Sequence, residues 1–190
     1  NLQSQNIIAL LPGSRKQEII KMLPIMLSVT PHFPNYTFMV AQAPGQDAPF
    51  YNRFLMGYAN VALVKNSTYE LLSVADAALV TSGTATLETA LFKVPEVVCY
   101  KGSWASYQIA KRIITLKYIS LVNLIMDKEV VKELIQNDLN TKNLKQELSK
   151  ILEGPNREKI LENYNILEEK LGGTGASEKT AQLIVSRIEK

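Results

Sequence analysis

The chain has 190 residues, 46% of them hydrophobic and 21% charged, with a net charge of +3. That composition suits one sizeable globular domain, and the charge is too small to argue for a nucleic-acid partner. The single cysteine, Cys99, excludes an internal disulfide and fits a reducing compartment, and with only one histidine, His32, no zinc site can be assembled.

Ile7-Ile8-Ala9-Leu10-Leu11 is a wholly apolar run, the mark of a strand covered on both faces. Pro12-Gly13 turns it. Ser14 followed by Gln17 predicts a capping box, and Ile19, Ile20, Leu23 and Leu27 then recur at helical spacing. Arg15 and Lys16 fall on the first turn, where the helix dipole disfavours cations and a bound anion would reverse the effect. The guanidinium fork of Arg15 suits phosphate, while Lys16 is expected to face solvent.

Strands are predicted over 36–41, 61–64, 77–80, 96–100 and 118–121. Helices are predicted over 50–58, 67–75 (a capping box from Ser67 to Glu70), 103–116 (with Trp104, Tyr107, Ile109 and Ile113), 128–136, 143–152, 157–171 and 177–189. Lys111 and Arg112 read as a solvated face. In the last helix Ala181, Ile184, Val185 and Ile188 share one face. Gly172-Gly173-Thr174-Gly175 follows no strand and reads as a helix–helix linker, not as a phosphate loop. Strands alternating with helices imply parallel βαβ units: an α/β, Rossmann-like, doubly wound sheet of about six strands with a helical C-terminal extension. The expected division is a core over 1–126 and helices packing on it over 127–190.

The stretch with most chemistry is Thr81-Ser82-Gly83-Thr84-Ala85-Thr86-Leu87-Glu88, a strand-to-helix turn of the kind where α/β proteins collect ligands. Its small residues permit close approach to the backbone, and a helix N-terminus favours an anion such as phosphate. Glu88, about one turn in, stands roughly 6 Å along the axis, near the step from a diphosphate to a ribose. The same stretch also reads as a tight helix-on-sheet turn with Glu88 as a first-turn acid. Asn123 follows the predicted sixth strand, where either a ligand contact or a turn would suit it. Glu133 and Gln136 fall three apart on one predicted helix face.

Leu11-Pro12-Gly13-Ser14-Arg15 with Glu18, Ser82-Gly83-Thr84-Ala85 with Leu87-Glu88, Pro95, Val97-Val98 and Tyr100, Tyr118, Ser120-Leu121, Asn123-Leu124, and Lys132-Glu133-Leu134 with Gln136 occur in this order. In combination they resemble the lipid-A-disaccharide synthase family, over its C-terminal half only. The resemblance implies one half of a two-domain glycosyltransferase of the GT-B type. That half would bind UDP-2,3-diacylglucosamine, and the other would receive the acceptor, 2,3-diacylglucosamine 1-phosphate. The reaction would form the β-1,6-linked disaccharide of lipid A with release of UDP. The implied UDP-sugar contacts are Gly13, Ser14, Arg15, Ser82, Gly83, Thr84, Glu88, Asn123, Glu133 and Gln136, with the diphosphate at Arg15 and the 82–84 turn and the ribose at Glu88. Val122 replaces a family proline before Asn123.

The resemblance implies no cofactor, a cytoplasmic enzyme of Gram-negative bacteria with peripheral contact to the inner membrane, and no nucleic acid. No Asp-x-Asp motif, which holds a metal in GT-A transferases, occurs in the sequence. Neither the residues nor the resemblance supplies a general base, and His32 lies in a Pro-rich loop far in sequence from the 81–88 turn. A preceding domain holding the base is expected, because the chain enters a buried strand almost at its first residue; alone, it is expected to bind donor without turnover. Two other readings share the architecture or the ligand: another UDP-sugar enzyme, such as a peptidoglycan GlcNAc transferase or a UDP-GlcNAc 2-epimerase, and a non-catalytic nucleotide-binding module.

Overall fold

A computed structural model describes residues 6–102, 117–172 and 175–188. Six strands, β1 (Ile7–Leu11), β2 (Thr37–Gln42), β3 (Val61–Lys65), β4 (Ala77–Thr81), β5 (Glu96–Tyr100) and β6 (Lys132–Ile135), form one sheet in the order β3-β2-β1-β4-β5-β6. Every pairing is parallel; Ala9, for example, lies between Met39 and Ala78. The helices are α1 (Lys16–Leu27), α2 (Ala48–Leu55), α3 (Thr68–Leu72), α4 (Thr84–Leu91), α5 (Leu121–Met126), α6 (Thr141–Leu152), α7 (Pro155–Lys170) and α8 (Ala176–Ile188).

The strands are apolar on both faces because helices cover both. Ile8, Leu10, Phe38 and Val40 pack with Ile19, Leu23 and Tyr51 and with Leu144, Leu148, Tyr164 and Leu167 of α6 and α7. On the opposite face, Ile7, Ala9, Leu11, Ala78 and Val80 pack with Leu71 and Leu72 of α3. Successive strands run outward from β1 in one direction and resume at β4 on its other side. The chain therefore leaves β1 and β4 toward opposite faces and opens a crevice between their C-terminal ends, the usual ligand position in such sheets.

The first five strands stand where the sequence placed them, but the sixth does not. Of residues 118–121, the first three form a bend and Leu121 opens α5, with Ser120 as N-cap: its Oγ accepts the Asn123 N–H at 3.2 Å. The sixth strand is Lys132–Ile135, inside the segment predicted as a helix over 128–136. Edge pairing with β5 overrides local helical spacing there: Leu134 is buried while its neighbours are half-exposed. The expected boundary at 126 therefore cuts the sheet.

Three smaller expectations also change. The α1 capping box starts at Arg15 and closes on Glu18, one residue later than predicted. Ser67 is the N-cap of α3 but makes no side-chain cap bond. Of the C-terminal helices, α6 and α7 pack on the core, whereas in α8 Leu183, Ile184, Val185 and Ile188 are 51–77% exposed. The helix predicted over 103–116 and the Gly173-Thr174 part of the linker lie outside the described residues.

Candidate functional site

The turns after β1 and β4 face each other across a cleft of about 430 Å³. Gly13, Ser14, Arg15 and Glu18 line one side, Thr81 to Ala85 with Glu88 the other, and Gln42, Pro44 and Thr68 complete the wall. The seven implied contacts from the two turns thus come together in one place.

The β1 turn is built by Gly13 and Glu18. Gly13 has φ +104°, a backbone that favours glycine, and a Cβ there would stand 2.8 Å from Glu18 Oε2 and displace that carboxylate. Glu18 folds back to accept the Arg15 N–H at 3.2 Å and to meet the guanidinium Nη1 at 3.1 Å. The Arg15 side chain is otherwise 83% exposed, so this pair holds it weakly and leaves it free to exchange Glu18 for a stronger anion.

The β4 turn leads into α4 through Gly83, and no side chain caps the helix. Gly83, Thr84 and Ala85 line the cleft, and the first N–H groups of a helix have no intrahelical acceptor, so donors and dipole converge on this wall. Thr86 Oγ1 bonds back to the Gly83 carbonyl at 2.8 Å and steadies the turn. Ser82 does not offer its N–H: that group donates to the Cys99 carbonyl at 3.1 Å, and its hydroxyl donates to the Ile119 carbonyl at 3.0 Å. Its contribution to an anion would be small size and position.

Glu88 stands on the cleft wall with Oε1 accepting the Tyr69 hydroxyl at 3.1 Å. That bond and the nearby carboxylate charge raise the Tyr69 hydroxyl above its ordinary value. In the same wall, Gln42 donates its amide N–H to the Gln46 carbonyl at 2.7 Å, and its Oε1 is buried without a partner among the described residues. Thr81 Oγ1, at the end of β4, is likewise buried and unpartnered. Such groups are uncommon in folded proteins, and here both sit in the wall of the cleft.

Asn123, Glu133 and Gln136 are not brought to this cleft. Asn123 is wholly buried, and its side chain is fully engaged. Its Nδ2 donates to the Val131 carbonyl at 2.8 Å and to Glu133 Oε1 at 2.9 Å, and Oδ1 accepts from Val130 N at 2.8 Å and Val131 N at 3.0 Å. Glu133 accepts the N–H groups of Ile119 and Ser120, with Oε1 2.9 Å from Ser120 N. Gln136 is a left-handed residue (φ +53°) that closes β6 by donating its N–H to the Tyr100 carbonyl. Asn123 and Glu133 hold the 118–120 bend, whose Ile119 carbonyl in turn receives Ser82. That chain of bonds links them to the β4 turn.

A family-wide profile described as lipid-A-disaccharide synthetase matches residues 2–186. The chain belongs to that family. It is 39% identical over 190 residues to the lipid-A-disaccharide synthase of Syntrophus aciditrophicus, covering 96% of this chain and 50% of that protein. The enzyme of Psychromonas ingrahamii is 37% identical over 186 residues, covering 94% and 48%. The chain thus spans about half the length of the curated relatives it matches.

Among solved structures, the glycosyltransferase SnogD from Streptomyces nogalater aligns over 97% of this chain and 44% of its own, with TM-score 0.63 at 18% identity. The C-terminal CMP-Kdo binding domain of WaaA from Acinetobacter baumannii aligns over 86% and 89%, with TM-score 0.51 at 14% identity. At such identities the likeness establishes the fold, that of one half of a GT-B glycosyltransferase.

For this family member, sequence reasoning missed Gln42 and Tyr69, and it included Thr81 in the 81–88 stretch without giving it a contact. Gln42 and Thr81 end apolar strands beside the crevice, a position that could have marked them. Tyr69 carries no sequence signal: it meets Glu88 only because α3 and α4 lie side by side.

Proposed function

We propose that the chain is the donor-binding half of a lipid-A-disaccharide synthase, and that its cleft takes the UDP part of UDP-2,3-diacylglucosamine. One observation carries this reading. A single cleft joins an uncapped helix N-terminus and a weakly held arginine, which suit a diphosphate, to a carboxylate, which suits a vicinal diol. The diphosphate lies between the 13–15 turn and the 83–85 turn, and Glu88 takes the ribose hydroxyls. The family membership favours this donor over those of the peptidoglycan GlcNAc transferases and UDP-GlcNAc 2-epimerases.

Transfer of the sugar leaves negative charge on UDP. The α4 N-terminus and Arg15 stabilise that charge as it develops, before reorganisation of solvent could. The acceptor, 2,3-diacylglucosamine 1-phosphate, and the base that deprotonates its hydroxyl belong to the part of the protein that lies beyond this half. No helix among the described residues is long and apolar enough to cross a membrane. Titration calorimetry of UDP against the chain and its Glu88→Ala variant tests the reading. Micromolar-to-millimolar binding that weakens at least tenfold in the variant, with unchanged melting, is expected; no UDP binding by the native chain would refute it.

A further inference from the structure

The bond between Tyr69 and Glu88 joins two helices that pack on different strands and whose residues are 19 apart in sequence. The α3 helix contacts β2 and β3, and α4 contacts β4 and β5. Thr68, next to Tyr69, lines the cleft together with Glu88. Neither helix needs this bond for its own packing, since Leu71 and Leu72 anchor α3 and Thr86, Thr89 and Ala90 bury the inner face of α4.

Tyr69 is 55% exposed, yet its ring is not loose: Phe92 stacks on it with centroids 5.5 Å apart and planes 23° from parallel. A stacked ring has little freedom to turn its hydroxyl away. The hydroxyl takes only one carboxylate oxygen, Oε1, and Oε2 has no partner among the described residues. A glutamate side chain has three rotatable bonds, so a fixed donor on one oxygen narrows the directions in which the remaining lone pairs point. A tyrosine hydroxyl is protonated throughout the neutral range, and the Glu88 carboxylate pushes that of Tyr69 higher still, so it remains a donor.

We propose that Tyr69 is a positioning residue for Glu88: it holds the carboxylate in the orientation that reads a vicinal diol, and so sets the preference of the cleft for a ribonucleotide over a deoxyribonucleotide. The inference rests on the reading of Glu88 as the ribose contact. Phe92 is the support, and the hydroxyl is the working atom.

The test measures dissociation constants for UDP and 2′-deoxy-UDP with the native chain, Tyr69→Phe and Glu88→Ala. Phenylalanine keeps the stack on Phe92 and removes only the hydroxyl. The native chain is expected to prefer UDP. Tyr69→Phe is expected to lose roughly two- to tenfold in UDP affinity, the worth of one hydrogen bond, with little change for 2′-deoxy-UDP. Glu88→Ala is expected to abolish the preference. A Tyr69→Phe chain with the native preference overturns the positioning role while leaving Glu88 as ribose contact intact. A native chain without preference overturns both. Equal losses for the two ligands in Tyr69→Phe mean a general effect on the cleft and also overturn the proposal.

Discussion

Two polar clusters in this chain use the same residue types and differ in what they leave unfilled. Around Asn123 and Glu133, each donor and acceptor of the asparagine amide is matched, and the glutamate closes on two backbone N–H groups. Around the cleft, among the described residues, Gln42 Oε1 and Thr81 Oγ1 have no partner, α4 has no capping side chain, and Glu88 has a single bond. A buried cluster that satisfies itself stabilises a bend. A cluster with surplus donors and acceptors beside an opening is ready for a ligand. Residue identity alone did not separate the two, since Glu88 of the cleft stood together with Asn123 and Glu133 as implied contacts.

The sharpest way to break the comparison is to delete the saturated centre. Asn123→Ala leaves the N–H groups of Val130 and Val131 and the Val131 carbonyl without partners in a buried site. A loss of about 3–5 kcal/mol is expected, large for a single substitution and read as a lower denaturation midpoint. UDP affinity of whatever remains folded should be close to native. A variant of native stability that had lost UDP binding would place Asn123 with the cleft instead.

The converse experiment deletes the ligand-facing acid. Glu88→Ala removes one exposed hydrogen bond from the folded chain and should leave melting nearly unchanged. If the carboxylate receives two sugar hydroxyls, the UDP complex should weaken by about 1.5–3 kcal/mol. Equal affinity for UDP in the variant would make Glu88 merely the partner of Tyr69.

The contrast also marks what the sequence could say. The apolar runs of β1 and β4 are legible because strands covered on both faces need apolar residues at nearly every position, and those of β2, β3 and β5 because they stay mostly apolar and β-branched even where partly exposed. The cleft walls are legible because a small-residue turn after such a strand has few uses. β6 was not legible: it is a four-residue edge strand with one buried side chain, and its register depends on pairing with β5. The Asn123 network was not legible either, because it joins residues 119, 120, 123, 130, 131 and 133 through a bend that no periodicity encodes. The exposed apolar residues of α8 satisfy helical spacing as well as those of α6 do, so spacing alone could not tell which helix is covered.

Unfilled bonding capacity is not sufficient for a site, and Glu96 shows why. Its carboxyl is fully buried at the start of β5, at the opposite end of the sheet from the cleft, and neither oxygen has a partner among the described residues. Among the described residues, Cys99 and the buried hydroxyl of Tyr164 of α7 are pushed up in part by its charge, after burial. Burial raises the Glu96 carboxyl well above the ordinary carboxylate value, so it stays protonated in the fold while the unfolded chain ionises it. The stability tied to this group is therefore complete below the ordinary carboxylate range and is lost as pH rises from there toward the folded value. Glu96→Gln cannot ionise. It should melt near the native chain at pH 4 and above it at pH 8, with UDP affinity unchanged at both. A native chain whose melting does not fall relative to the variant between those pH values would mean the carboxyl is partnered.

The smallest expected effect concerns Arg15, and it separates charge from geometry at the cleft. Its side chain is mostly exposed, and its pair with Glu18 is of the surface kind, so Arg15→Lys should leave stability within about 0.5 kcal/mol. Lysine keeps the charge but offers a compact ammonium in place of a planar fork, and cannot make two parallel bonds to one phosphate. If Arg15 exchanges Glu18 for the diphosphate, UDP affinity should drop by about 1 kcal/mol, close to fivefold, while uridine affinity stays the same. The difference between the two ligands carries the information, because any general disturbance of the 13–15 turn would act on both. Glu18→Gln is the matching control: it weakens the competing ion pair, so UDP affinity should rise slightly at low ionic strength and converge on the native value as salt screens the charges. Equal losses for UDP and uridine in Arg15→Lys, with no gain in Glu18→Gln, would leave Arg15 as a capping residue that never meets the diphosphate, and would shift the anion site wholly onto the α4 N-terminus.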